Sequence, residues 1–129
     1  MTTVSEALKA FRDSGAKYLD LRFTDVKGKW QHLTMDGTVV DEDLLNNGVF
    51  FDGSSIAGWK AINESDMVLK PDLSTTVMDP FTAQPTMMIF CDILDAVTKE
   101  PYERDPRGTA KKAEEYVKLS GMGDTVYIG

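Results

Sequence analysis

Between Leu19 and Met35 the chain commits itself to a hairpin. Leu19, Leu21 and Phe23 alternate with Asp20, Arg22 and Thr24. A period of two places the first set on one face of a strand and the second on the other. Asp25-Val26-Lys27-Gly28 supplies turn chemistry, and Lys29 to Met35 is then the return strand. A hairpin with one apolar face needs more sheet and a cover, so the remaining segments can be read for both.

The cover comes first. Thr3-Val4-Ser5-Glu6 has the form of a capping box, and Val4, Ala7, Leu8 and Phe11 form one apolar helical stripe that Ser14-Gly15 ends. Asp41 caps a short helix through Leu45, closed by Asn46-Asn47-Gly48. Val49 to Asp66 reads as a long ordered loop, a kind of segment that is usually functional in a small domain. Met67 to Lys70, Thr75 to Met78 and Thr86 to Leu94 read as strands, the last apolar enough to be central and covered on both faces. Asp95 to Arg104, with Pro101, is a polar linker. Asp105-Pro106 then caps and opens a second long helix, to be buried through Ala110, Ala113, Tyr116 and Val117 and stopped by Gly121. Thr125 to Gly129 has the residues of a further strand. The sum is an α+β chain, a mixed sheet grasping a helix in the β-grasp manner.

Composition narrows the function classes. With 129 residues one modest core is expected, and a net charge of −7 with no basic stripe argues against nucleic acid. Arg104, Arg107, Lys111, Lys112 and Lys118 are interleaved with Asp105, Glu114 and Glu115 and read as a solvated helix face. The N-terminus lacks the pattern of a signal peptide, and the apolar run Met87 to Cys91 is too short to cross a bilayer, so no membrane partner is expected. A single cysteine, Cys91, inside that run reads as a buried thiol of a reducing cytoplasm. His32 is the one histidine and is a strand residue rather than a metal ligand.

Phosphate loops, dinucleotide fingerprints and nucleophile elbows are all missing from the sequence. What remains is Phe50-Phe51-Asp52-Gly53-Ser54-Ser55-Ile56-Ala57-Gly58-Trp59, running on to Asn63-Glu64-Ser65-Asp66. A φ > 0 at Gly53 would present Asp52 beside two hydroxyls. An ionised carboxylate with a serine oxygen suits a small cation rich in N–H donors. On its own, Asp-Gly-Ser-Ser is most often just a turn, and a lone tryptophan such as Trp59 is more often a packing anchor than a ligand contact.

The whole segment resembles the N-terminal signature of glutamine synthetases: an aromatic residue, Asp52-Gly53-Ser54-Ser55, a spacer, then Glu64-Ser65-Asp66 before Leu69. Phe23-Thr24-Asp25, Lys27-Gly28-Lys29, Asp79-Pro80-Phe81, Cys91-Asp92-Ile93-Leu94 and Arg104-Asp105-Pro106-Arg107 are similar to segments of the bacterial type I form, in order. Ala57 and Ala61 stand where many relatives have glycine.

The resemblance implies an N-terminal β-grasp-like domain over residues 1–100 and, over 101–129, a linker with the truncated start of a catalytic domain of the ATP-grasp-like guanido kinase type. It implies an ATP-dependent glutamate–ammonia ligase in which Asp52 binds ammonium and takes its proton while Ser55 assists as an acceptor. Gly53, Ser54, Trp59, Asn63, Glu64 and Asp66 then shape the loop at a subunit boundary. ATP and Mg2+ or Mn2+ are implied for the full-length enzyme, with no metal ligand in this stretch. A dodecamer of two six-membered rings and a cytoplasmic location complete the picture, with this stretch alone expected to be inactive. The competing reading is a freestanding β-grasp-like module that binds a protein partner without catalysis.

Overall fold

The structure, a computed structural model, describes residues 3–59 and 65–129. The first helix, α1 (Val4–Asp13), begins with the expected capping box. The Thr3 hydroxyl accepts from the Glu6 N–H at 3.2 Å, and the Thr3 N–H donates to Glu6 Oε2 at 3.2 Å. Its stripe Ala7, Leu8 and Phe11 is buried.

The hairpin follows as β1 (Tyr18–Thr24) and β2 (Trp30–Asp36), with Leu21 opposite Leu33. Asp25 holds the turn between them, accepting from the N–H groups of Lys27 and Lys29, both at 2.9 Å. After α2 (Glu42–Asn47), capped by Asp41, come β3 (Val49–Asp52), β4 (Asp66–Pro71), the two-residue β5 (Val77–Met78) and β6 (Thr86–Asp95). The strand order is β2-β1-β6-β4-β3, with β5 also on β6. β1 runs parallel to β6 and every other pair is antiparallel, so the sheet is mixed. Leu19, Leu21, Met87, Ile89, Cys91 and Ile93 meet α1 and Leu44 and Leu45 of α2 in one core. This is the expected α+β arrangement, a sheet grasping a helix.

Several expectations are corrected. The stretch Val49 to Asp66 is not loop throughout, because its two ends pair as β3 and the start of β4, with Val49 opposite Leu69 and Asp52 opposite Asp66. The strand expected at Thr75–Met78 shrinks to Val77–Met78. Asp72 caps a 3-10 turn at Leu73–Thr75, accepting from the Ser74 N–H at 3.1 Å and its hydroxyl at 2.6 Å. The polar linker folds back on β6: Asp95 N–H donates to Glu100 O at 2.9 Å and Tyr102 N–H to Ile93 O at 2.8 Å.

Asp105 and Pro106 do open α3 (Pro106–Leu119), yet Ala110, Ala113 and Tyr116 are exposed and Val117 is only half-buried. Instead α3 is held at its first turns by polar side chains. Arg107 pairs with Asp72 and, at 3.0 Å, with Asp92, while Lys111 reaches Asp92 at 2.6 Å. The basic cluster is therefore solvated only in part. Thr125–Gly129 forms no strand: among the described residues nothing pairs with it, and an extended segment without a ladder partner has no backbone hydrogen bonds to hold it.

The polar face of β1 holds a buried group. Asp20 is 4% exposed although alternation points it away from the core. Arg22 Nε, His32 Nδ1 and the Thr34 hydroxyl all lie 2.8 Å from its carboxylate. Burial pushes its pKa up, but these three partners outweigh that and hold it below the ordinary value. His32 is thus a β2 residue oriented by Asp20. Cys91 is fully buried, and desolvation raises its thiol so far that it is inert.

Candidate functional site

Asp52 ends β3, and two turns carry the chain onward. A 3-10 turn spans Gly53–Ser55, after which Ile56 N–H donates to Gly53 O and Trp59 N–H to Ile56 O, both at 3.1 Å. Asp52 Oδ1 accepts from the Ser54 N–H at 2.9 Å and from the Ser54 hydroxyl at 2.6 Å. The Ser54 hydroxyl, then its N–H, and also the Ser65 side chain lower the Asp52 pKa from its usual 3.8. Asp52 is therefore an exposed carboxylate that stays ionised at any physiological pH. Ser55 is exposed one residue beyond Ser54, so the serine that meets Asp52 directly is Ser54.

Asp66 lies opposite Asp52 in the β3–β4 register and is exposed too. Like charges facing each other across two strands are destabilising alone and attract a cation between or beside them. This pairing was not legible in the sequence, since it depends on which segment β3 pairs with. Asn63 and Glu64, the other expected loop residues, lie outside the described residues.

Gly53 is needed for a different reason than expected. Its φ is not positive. A Cβ there would sit 2.3 Å from Met67 Sδ, 2.8 Å from Met67 Cγ and 3.0 Å from Ser65 O. Gly53 is buried and its N–H donates to Ser65 O at 2.7 Å, so the loop closes tightly over Met67. Space, not backbone handedness, selects the glycine.

Trp59 is 7% exposed and packs in an aromatic cluster. Its ring centroid lies 5.6 Å from Phe23, 6.3 Å from Phe51 and 5.6 Å from Tyr102. Among the described residues its Nε1 has no hydrogen-bond partner. Trp59 is a packing anchor for the loop, and Tyr102 is a contact that no sequence signal indicated.

A consequence of this geometry can be measured. Replacing Ser54 by alanine removes the hydroxyl but keeps the N–H, so the Asp52 pKa should rise toward 3.8. A 13C carboxyl titration by NMR reads this directly, and an unmoved Asp52 would contradict the geometry.

The fold and this loop define a β-grasp domain whose β3–β4 connection displays an ionised aspartate. The family model described as glutamine synthetase, beta-Grasp domain, matches residues 15–96. Over 129 residues the chain is 67% identical to the glutamine synthetase of Rhizobium meliloti (strain 1021), covering 100% of the chain and 28% of that protein. It is 60% identical over 129 residues to the glutamine synthetase of Bradyrhizobium diazoefficiens, again covering 100% of the chain and 28% of the relative. The fold matches a cryoEM structure of Plasmodium falciparum glutamine synthetase with a TM-score of 0.83 at 24% identity, over 94% of this chain and 23% of that one. The chain belongs to the glutamine synthetase family and corresponds to its N-terminal portion. It spans 28% of the length of these curated relatives.

Proposed function

We propose that this chain supplies the ammonium-binding loop of an ATP-dependent glutamate–ammonia ligase. In that reaction the γ-carboxylate of glutamate is phosphorylated by ATP, and ammonia displaces the phosphate to give glutamine. The observation that carries the reading is Asp52: exposed, ionised, fixed by Ser54 and faced by Asp66.

Ammonium has no lone pair, so it must be attracted as a cation and give up a proton before or while its nitrogen attacks. A carboxylate with a lowered pKa is a good electrostatic anchor and a weak base. Asp52 therefore takes the first proton from bound ammonium, freeing the lone pair, a transfer drawn forward as ammonia attacks the acyl phosphate. The second proton, made acidic by the new nitrogen–carbon bond, leaves with the departing phosphate, and Ser55 is a further hydrogen-bond acceptor on the same turn. The same reading puts Asp66, at the start of β4, at a subunit boundary.

Among the described residues no three or more His, Cys, Asp or Glu side chains gather as a metal site. ATP and Mg2+ or Mn2+ belong to the same reading for the full-length enzyme, and no step here runs through them. The reading carries with it a domain division at about residue 100, a dodecamer of two rings in which the loop meets a neighbouring subunit, and a cytoplasmic enzyme. No helix among the described residues is long and apolar enough to cross a membrane.

The test is a chimera in which residues 1–129 replace the matching segment of the Rhizobium meliloti relative. In it Asp52→Ala should lower kcat/KM for ammonium about 30-fold, the scale of a lost charged hydrogen bond, with the KM for ATP unchanged. Unaltered turnover at low ammonium would sink the proposal.

A further inference from the structure

The Asp52 loop is gripped by a segment that follows it by more than forty residues in the sequence. Arg104 Nη1 donates to the Gly58 carbonyl at 2.8 Å. The Tyr102 ring stands edge-on to Trp59 at 5.6 Å and 77°. Trp59 in turn packs on Phe51, the residue before Asp52. Gly58 itself has φ +87, and a Cβ there would lie 3.0 Å from Val26 Cγ2.

The gripping segment is itself anchored to the central strand. Tyr102 N–H donates to Ile93 O at 2.8 Å, and the Ile93 N–H donates to Asp105 Oδ2 at 3.1 Å. Asp105 is also the cap of α3. A continuous set of contacts thus runs from the start of α3 through Arg104 and Tyr102 to Gly58, Trp59 and Phe51.

We infer that Tyr102 and Arg104 are positioning residues for Asp52, fixing the turn on which its carboxylate is presented and coupling that turn to the start of α3. The inference rests on the reading of Asp52 as the ammonium-binding group. Arg104 is exposed, and a single hydrogen bond at the surface contributes little to global stability. Its effect should therefore appear in the order of the loop rather than in unfolding.

The sequence holds two tryptophans, so Trp30→Phe leaves Trp59 as the only tryptophan reporter. In that background Arg104→Ala should raise acrylamide quenching of Trp59 about fivefold, the population shift one hydrogen bond carries, with the urea midpoint unchanged. Tyr102→Ala, which removes the edge-on ring, should raise it further. Unchanged quenching in Arg104→Ala overturns the inference. In the chimera described above, Arg104→Ala should raise the KM for ammonium about fivefold and leave that for ATP alone. An unmoved ammonium KM beside an impaired Asp52→Ala rejects the coupling while the ammonium reading stands. A silent Asp52→Ala removes both.

Discussion

Gly48→Ala should lower the stability of the chain by about 4 kcal/mol, summing backbone strain and steric displacement. Gly48 ends α2 with φ 84 and ψ −168, a region that residues with a Cβ essentially do not enter. An added Cβ would lie 2.2 Å from Leu69 O, 3.0 Å from Leu69 C and 2.9 Å from Val68 Cγ1. Leu69 cannot yield, because it is fully buried and pairs with Val49 on one side and Ile93 on the other. Gly121 is the control. Its φ is +72 but nothing lies within 4 Å of its virtual Cβ, so Gly121→Ala should cost only about 1 kcal/mol of strain. Urea midpoints at constant m separate the two, and equal midpoints would show that the close approach of Gly48 to β4 is wrong. Against a total of about 5–15 kcal/mol, the larger loss removes about a quarter or more of the stability that holds β3 and Asp52 in place.

That contrast marks what local sequence can tell. The β1–β2 hairpin, the Thr3–Glu6 capping box, the Asp41 cap and the Asp105-Pro106 start of α3 were legible because each depends on residues a few positions apart. The β3–β4 pairing was not, since four residues from Val49 carry little periodicity and their partner is chosen by packing. The need for Gly53 was legible as a turn, but its cause, the Met67 side chain, was not.

Asp20 shows a third kind of miss. Alternation assigned it to solvent, yet partners from β1 and β2 enclose it, and its neighbour Arg22 reaches on to Asp79. In α3 the apolar spacing was real, but the helix is held by Asp105, Arg107 and Lys111 at its start. At the candidate site, the motif named Asp52, Ser55 and Asp66, whereas the contacts of Tyr102 and Arg104 and the register that sets Asp66 opposite Asp52 emerged only with the tertiary structure.

Asp105→Ala should cost about 3 kcal/mol, because it removes a helix cap and leaves a buried strand N–H without its acceptor. Asp105 is 2% exposed, and its two oxygens divide the work: Oδ1 accepts from the Arg107 N–H at 3.0 Å and Oδ2 from the Ile93 N–H at 3.1 Å. Asparagine can accept only one of these, so Asp105→Asn should fall between alanine and the parent.

Burial raises the Asp105 pKa above its usual 3.8, despite the backbone N–H groups that favour the charged form. A carboxyl whose folded value lies above its unfolded one binds its proton first in the folded state. Its contribution therefore grows as pH falls through the folded value and is complete below the unfolded one. Asp20 and Asp72, held below 3.8, do the opposite and lose their contribution as pH falls through their folded values.

The stability gap between the parent and Asp105→Asn should thus widen as the pH is lowered toward 4, the carboxylates common to both cancelling in the difference. Urea unfolding across that range measures it, and a gap independent of pH would contradict a raised Asp105. Amide exchange at Ile93 should quicken in Asp105→Ala, and Trp59 should loosen with it, because the same carboxylate ties residues 102–105 to β6 and through them holds the loop of Asp52.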